Sequence, residues 1–211
     1  MEQYNKIIHT IGYAAHTVES FIATLEKFNI TAIADVRSQP YSKFKPEFNR
    51  DNLKKALRNK RIEYVFLGHN IGARIKAPEC YKNGQVDYEL ISKHSLFQEG
   101  IERLLKGMEK HSIALMCAEK DPINCHRTIL ICKNLKNYQI QIYHIIDADT
   151  FENHTETEFR LLKLFHLEQP DLFMNKAQRL TEAYSRQEEK IAYVAENEAT
   201  YMANSTGFDN E

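Results

Sequence analysis

The run Ile113-Ala114-Leu115-Met116-Cys117 constrains the fold of this chain more than any other stretch, because it is apolar at every position. A strand with no polar side to give to water must be covered on both faces, which is the habit of strands inside parallel sheets. Shorter relatives of it recur along the chain at 7–11, closed by Gly12, at 31–36, at 62–66 and at 139–145. The last of these alternates polar and apolar residues, which places it nearer an edge. Between these runs the spacing turns helical. Val18, Phe21, Ile22, Leu25 and Phe28 form one stripe over 17–28, with Thr17 as N-cap and Ser20 where Glu is usual. Helices are expected also over 51–60, 88–93, 96–110 and 124–138. Strands alternating with helices predict an α/β fold: a mainly parallel five-stranded sheet with helices on both faces. After Asp147 the pattern stays helical to about residue 197. The expected organisation is an α/β domain over 1–147, a C-terminal helical extension over 148–198 packed on or near it, and a flexible tail over 199–211. No internal repeat is present.

With 43% hydrophobic and 27% charged residues in 211, the chain can bury a sizeable core, and disorder is not expected. No apolar run approaches the roughly 20 residues of a membrane span, so no membrane role is expected. The first six residues, Met1 to Lys6, lack a signal-peptide pattern. Four cysteines without short paired spacing read as free thiols in a reducing compartment, and a cytoplasmic location is expected. Net charge is only −1, but its distribution is uneven. Residues 37–61 hold nine Lys/Arg against two Asp/Glu, while 147–211 hold six against fourteen. The basic stretch, which also carries Tyr41, Phe44 and Phe48, suits phosphate or nucleic acid. A solvated helix face plus a loop explains it equally well.

In parallel α/β sheets, ligands bind in the crevice outside the carboxyl ends of the strands. That rule gathers Tyr13 and His16, Asp35 and Arg37, Gly68, Gly72 and Arg74, Cys117 and Glu119, and His144 with Asp147 on one rim. The strongest segment is Met116-Cys117-Ala118-Glu119-Lys120-Asp121-Pro122 followed by Cys125-His126-Arg127. Its cysteine ends a buried strand, and Asp121-Pro122 is a helix-start pair whose free amides favour an anion. A thiolate at Cys117 would gain from that dipole and from nearby cations. Cys117 is therefore the candidate nucleophile, with Glu119, His126 and Asp35 as candidate proton carriers. Tyr13, His16, Arg37, Ser42, Arg74 and Arg127 are the candidate substrate-binding residues. A structural explanation competes: a buried cysteine, a capping Asp121 and an ion-paired Arg127. A phosphatase-like cradle would need an arginine closing a short loop, whereas Arg127 lies ten positions after Cys117.

Cys117, Cys125 and His126 are also candidate metal ligands. Neighbours on a helix point about 100° apart and do not converge, so no metal or other cofactor is expected. Cys125 and Cys132 would share a helix face as core thiols. His69, His111, His154 and His166 have surface-like contexts, leaving His16, His126 and His144 on the rim. Asp35 and Arg37 share a strand face, either to recognise an anion or to satisfy each other. Gly12, Gly68 and Gly72 are read as turn formers. No dinucleotide fingerprint, Walker motif or G-x-S-x-G is present.

Thr10-Ile11-Gly12-Tyr13, Ala34-Asp35-Val36-Arg37-Ser38-Gln39-Pro40-Tyr41-Ser42, Leu67-Gly68 with Gly72, and the Cys117–Arg127 segment occur here in order. With Cys80-Tyr81, Gly84, Val86-Asp87-Tyr88 and Phe97 to Leu104 they resemble the domain-of-unknown-function family numbered 488, over about residues 6–147. The resemblance implies an α/β domain and suggests an enzyme without a settled substrate. It puts functional positions at Tyr13, Asp35, Arg37, Cys117, Glu119, Cys125, His126 and Arg127. Ala14 stands where the family often has serine, so a hydroxyl there is not essential; Gly72-Ala73 replaces a glycine pair. The leading expectation is an enzyme acting on an anionic substrate, phosphate-bearing or nucleic-acid-related. The alternatives are a nucleic-acid-binding module using 37–61 and a partner-binding protein using the acidic helices.

Overall fold

In the computed structural model, residues 6–170 and 172–195 are described; the expected tail at 199–211 lies outside them. The sheet is built around β6 (Ile113–Cys117), as its composition requires. Ala114 and Met116 face one core, while Ile113, Leu115 and Cys117 face the other. On its two sides lie β2 (Ala32–Asp35) and β1 (Lys6–Gly12), both parallel to it. Beyond them are β3 (Glu63–Phe66) and β7 (Ile140–Ile145), also parallel. Gly12 registers with Cys117 and Asp35 with Met116, so these three strands end level and form one rim.

The sheet has six strands rather than the five expected, in the order β3-β2-β6-β1-β7-β8. The sixth, β8 (Phe151–Asn153), runs antiparallel to β7. It is three residues long and partly exposed, too short to show a period of two. Residues after Asp147 therefore begin by completing the sheet, and the helices α7 (His154–Leu164) and α8 (Lys176–Ile191) follow. Leu161, Leu162, Ala183 and Tyr184 are buried in the same core as Leu115 and Ile142. These helices pack into the core of the α/β unit, and the helical pattern expected to about residue 197 is broken by β8 and by non-helical residues at 165–170 and 172–175, its last residues, 196 and 197, lying outside those described.

Helices cover both faces. α1 (Val18–Lys27) and α2 (Arg50–Arg58) lay Phe21, Leu25, Leu53 and Leu57 on one. The other is covered by α4 (Tyr88–Lys93), α5 (Ser95–Gly107), α7 and α8. α1 starts as its sequence dictates: Thr17 Oγ1 accepts from Ser20 N–H, and Ser20 Oγ accepts from Thr17 N–H. Between β3 and α4 sit a short helix α3 (Gly68–Ile71) and a two-residue-per-strand hairpin, β4 (Tyr81–Lys82) with β5 (Gln85–Val86). No helix among the described residues is long and apolar enough to cross a membrane.

The helix expected over 124–138 differs in a way that shapes the site. Asp121 caps a single 3-10 turn, Pro122–Asn124, through its bond from Ile123 N–H. Cys125 is extended, with φ −138° and ψ 139°. The helix proper begins as a wide π-helical segment, Arg127–Cys132, and tightens to α6 (Lys133–Leu135). Wide turns of this kind recur at functional sites.

Candidate functional site

A cavity of about 370 Å³ opens above the carboxyl ends of β1, β2 and β6. Tyr13, Arg37, Ser42 and Arg74 line it among the expected binding residues. Cys117, Glu119 and His126 line it among the expected catalytic ones. Side chains distant in sequence thus meet where the level strand ends predict a crevice.

Three expected site residues stand behind the cavity instead. Asp35 is fully buried, and its carboxylate is occupied by Arg37 and by Tyr64. Arg37 Nε donates to Oδ1 (2.9 Å) and Nη2 to Oδ2 (2.6 Å), while Tyr64 O–H donates to Oδ2 (2.6 Å). Asp35 holds Arg37 in place from behind the cavity and does not line it. Arg127 is fully buried; it donates to the carbonyls of Glu119 (2.6 Å) and Lys120 (3.1 Å) and to Thr10 Oγ1 (3.3 Å). Its guanidinium shapes the loop that carries Glu119 and does not reach the cavity. His16 does not line the cavity either: its Nδ1 lies 3.4 Å from Ser20 Oγ, and its carbonyl accepts from Lys45.

The histidine expectations also change. His144 is on β7 but fully buried, held between Thr10 Oγ1 (2.8 Å) and His154 Nδ1 (3.0 Å). His154, expected at the surface, is buried and meets Tyr184 O–H through Nε2 (3.1 Å). A one-dimensional context cannot reveal that two histidines from β7 and α7 will join one internal hydrogen-bond network.

The site glycines act by close approach rather than by unusual turns. A Cβ on Gly12 would lie 1.8 Å from Glu119 O, and one on Gly68 would lie 1.9 Å from Arg37 O. Both press against the backbone of site residues, and neither has a positive φ. The segment that presents Glu119 is therefore packed directly on the end of β1.

At the floor of the cavity lie two sulfurs, an imidazole and a carboxyl. Cys117 Sγ donates to Glu119 Oε2 (3.1 Å) and lies 3.7 Å from His126 Nδ1. Cys125 Sγ lies 3.9 Å from the same nitrogen. His126 Nε2 is 3.0 Å from Val36 O, an acceptor, so that nitrogen carries its proton and Nδ1 faces the sulfurs. Cys125 thus lines the cavity while it shares the buried core with Cys132. Its extended backbone turns it toward His126, and the divergence expected of helical neighbours does not occur. The thiols differ electrostatically. The bond to Cys125, followed by burial, raises the pKa of Cys117. Burial pushes Cys125 up as well, but Cys117, Arg127 and His126 outweigh it and hold that thiol well below its usual value. Burial and the adjacent Cys125 raise the Glu119 carboxyl. Burial lowers His126, but Cys125 and Glu119 overcome it and raise the imidazole.

Two further tyrosines complete the walls. Tyr88, capped into α4 by Asp87, is 2% exposed and its hydroxyl has no partner among the described residues. Tyr193 follows α8 and lies under the Arg74 guanidinium, 4.2 Å from Cζ to the ring centroid. Nothing local in the sequence marks either one; Tyr88 was visible only as part of the family-like Val86-Asp87-Tyr88 segment.

No curated protein and no solved structure matches the chain significantly. A family model does, over residues 17–133, more than half of the 211. Nearly all of the cavity floor falls inside that match, and with it the order of motifs that brings Arg37, Cys117, Glu119, Cys125 and His126 together. The chain belongs to the family described as domain of unknown function DUF488.

Proposed function

We propose that the protein is an enzyme acting on an anionic substrate, phosphate-bearing or nucleic-acid-related, held in the strand-end cavity. One observation carries this reading. Arg37 lines the cavity with its guanidinium fixed by Asp35, by Phe48 O (2.9 Å) and over the Tyr13 ring (5.0 Å from Cζ), yet its buried Nη1 has no hydrogen-bond partner among the described residues. A permanently charged donor fixed in place beside a cavity is matched by a phosphate or carboxylate oxygen. Arg74 adds a second cation at the wall. Glu119 stands beside the sulfurs and is the group placed to carry a proton for a substrate above them. The four free cysteines fit a reducing compartment, and a cytoplasmic location goes with this proposal.

Calorimetric titration with inorganic phosphate and with nucleoside monophosphates tests the reading, alongside turnover assays on a panel of phosphate esters and nucleotides. Arg37→Met is expected to weaken anion binding roughly ten- to hundredfold, the worth of a charged hydrogen bond. Glu119→Gln is expected to leave binding intact and remove turnover. If the wild-type chain binds none of these anions, the reading fails.

A second reading, a nucleic-acid-binding module, is favoured by α2, where Lys54, Lys55 and Arg58 are exposed on the stretch that begins at the cavity with Tyr41 and Ser42. It requires binding with a steep salt dependence that flattens when those three charges are removed. A partner-binding role for the acidic helices has less to stand on. Glu152 pairs with Arg160, Glu158 with Lys136, and Glu188 accepts from Tyr88 N–H.

A further inference from the structure

We propose that Cys117, Cys125 and His126 form a zinc site whose fourth position opens into the cavity. The proposal does not depend on the anion reading; it stands on the geometry of three ligand atoms. Cys117 Sγ, Cys125 Sγ and His126 Nδ1 all lie within 4.8 Å of one another, with sulfur–nitrogen separations of 3.7 and 3.9 Å. In a tetrahedral zinc site with Zn–S near 2.3 Å and Zn–N near 2.0 Å, such atoms stand about 3.5–3.8 Å apart. The two sulfur–nitrogen gaps therefore need to close by only a few tenths of an ångström around an ion, and the sulfurs, within 4.8 Å of each other, by no more than about 1 Å.

The second observation is the support behind the imidazole. A ligating histidine usually donates its other ring N–H to a carbonyl or carboxylate, which fixes the tautomer and the ring plane. Here His126 Nε2 meets Val36 O at 3.0 Å, leaving the Nδ1 lone pair toward the sulfurs. The backbone explains the convergence. Cys117 is the last residue of β6, and Cys125 is extended between the 3-10 turn and the helix, so the pair closes on His126 from both sides.

Two thiolates and an imidazole are a soft donor set that selects zinc over magnesium, calcium or manganese. All three residues are buried, yet all line the cavity, so the remaining coordination position faces the space where a ligand would sit. Three protein ligands with one position open is the arrangement of catalytic rather than structural zinc. The ligand class expected at that position is water or an oxyanion. Glu119, whose Oε2 touches Cys117 Sγ at 3.1 Å, lies beside it.

A comparable cluster elsewhere shows why this one is singled out. Cys132, His144 and His154 also approach one another. There the imidazole nitrogens already bind Thr10, each other and Tyr184, which leaves no lone pair aimed at an ion.

The test uses the full chain, reduced, stripped with a chelator and kept free of oxygen. Zinc(II) uptake is measured by competition with a chromophoric chelator, and cobalt(II) uptake by absorption. One equivalent of each is expected to bind. Cobalt should show intense thiolate-to-metal charge transfer together with the strong visible bands of a tetrahedral site. Cys117→Ser, Cys125→Ser and His126→Ala are expected to lose both, while Cys80→Ser and Cys132→Ser keep them. The wild-type titration decides the matter even where a variant does not fold. If the reduced wild-type chain takes up neither metal, the proposal is overturned. It is overturned also if uptake survives Cys125→Ser, or if the two sulfurs are recovered as a disulfide and bind no metal after reduction.

Discussion

The most informative side chain is Asp35, because its role moved from chemistry to support. An acid two residues before an arginine, at the end of a strand, reads equally as a catalytic carboxylate and as a partner; only the positions of Tyr64 and Phe48, far off in sequence, decide between them. Its carboxylate is fully buried and accepts from Arg37 and Tyr64. Burial works against the Arg37 charge, and Asp35 outweighs it and raises the guanidinium's pKa. Breaking a buried pair strands the remaining charge. Asp35→Asn should therefore cost roughly 3–5 kcal/mol in denaturant melts and weaken phosphate binding together with stability. A variant that keeps full stability yet loses turnover alone would return Asp35 to the catalytic set. The same contrast separates Cys117 from Cys125. Both lie in one segment, yet their thiols are pushed in opposite directions, Cys117 up and Cys125 down, by neighbours that only the fold brings together.

Among the elements, those with long periods were legible and those defined by a few residues were not. β6 announces itself by being apolar throughout, and α1 by its stripe and its Thr17–Ser20 cap. β8, three residues at the edge, and the hairpin β4–β5 carry no period at all. The helix after Cys125 starts later than its pattern suggests, because an Asp-Pro pair opens a 3-10 turn as readily as an α-helix, and the extended Cys125 that follows lines the cavity from within the core. The glycines were noticed for the wrong reason. At Gly12 what matters is the strand end pressed on the loop, 1.8 Å being available where a Cβ would stand. Gly12→Ala must displace the Glu119 backbone. It should cost about 1–3 kcal/mol or more, as overpacking does, and should reduce metal or anion uptake along with it. Unchanged uptake with an unchanged melting temperature would show that this loop yields freely.

At the scale of the whole molecule, the internal network that joins β1, β7, α7 and α8 sets the response to acid. His154 is faced by His144 from β7, Tyr184 from α8, Glu158 on its own helix and Lys136. Burial lowers its pKa from 6.5 to about 4, against the pull of Glu158. His144 is pushed down in the same direction by burial and by His154. Below pH 6.5 the unfolded chain takes protons that the folded chain refuses, so stability falls with pH between about 6.5 and 4. The loss from His154 alone is on the order of 3 kcal/mol at the acid end of that window. Thermal melts from pH 7.5 down to pH 4.5 should show this decline, and His154→Gln should flatten it. An acid limb with the same slope in the variant would move the cause elsewhere.

The stretch after α8 has an effect out of proportion to its length. Tyr193 O accepts from Val86 N–H (3.0 Å), Ala195 N–H donates to Gly84 O (2.8 Å), and Val194 bridges to Gln85. A few residues are thereby stitched to the hairpin and set Tyr193 under Arg74 at the cavity wall. They lie well past residue 133, where the family match stops, whereas the reactive floor lies within it. The molecule thus has the floor of its cavity inside the family match and one strip of its wall outside it. A substitution at Tyr193 therefore reshapes the mouth of the cavity without touching Cys117, Glu119, Cys125 or His126 on its floor.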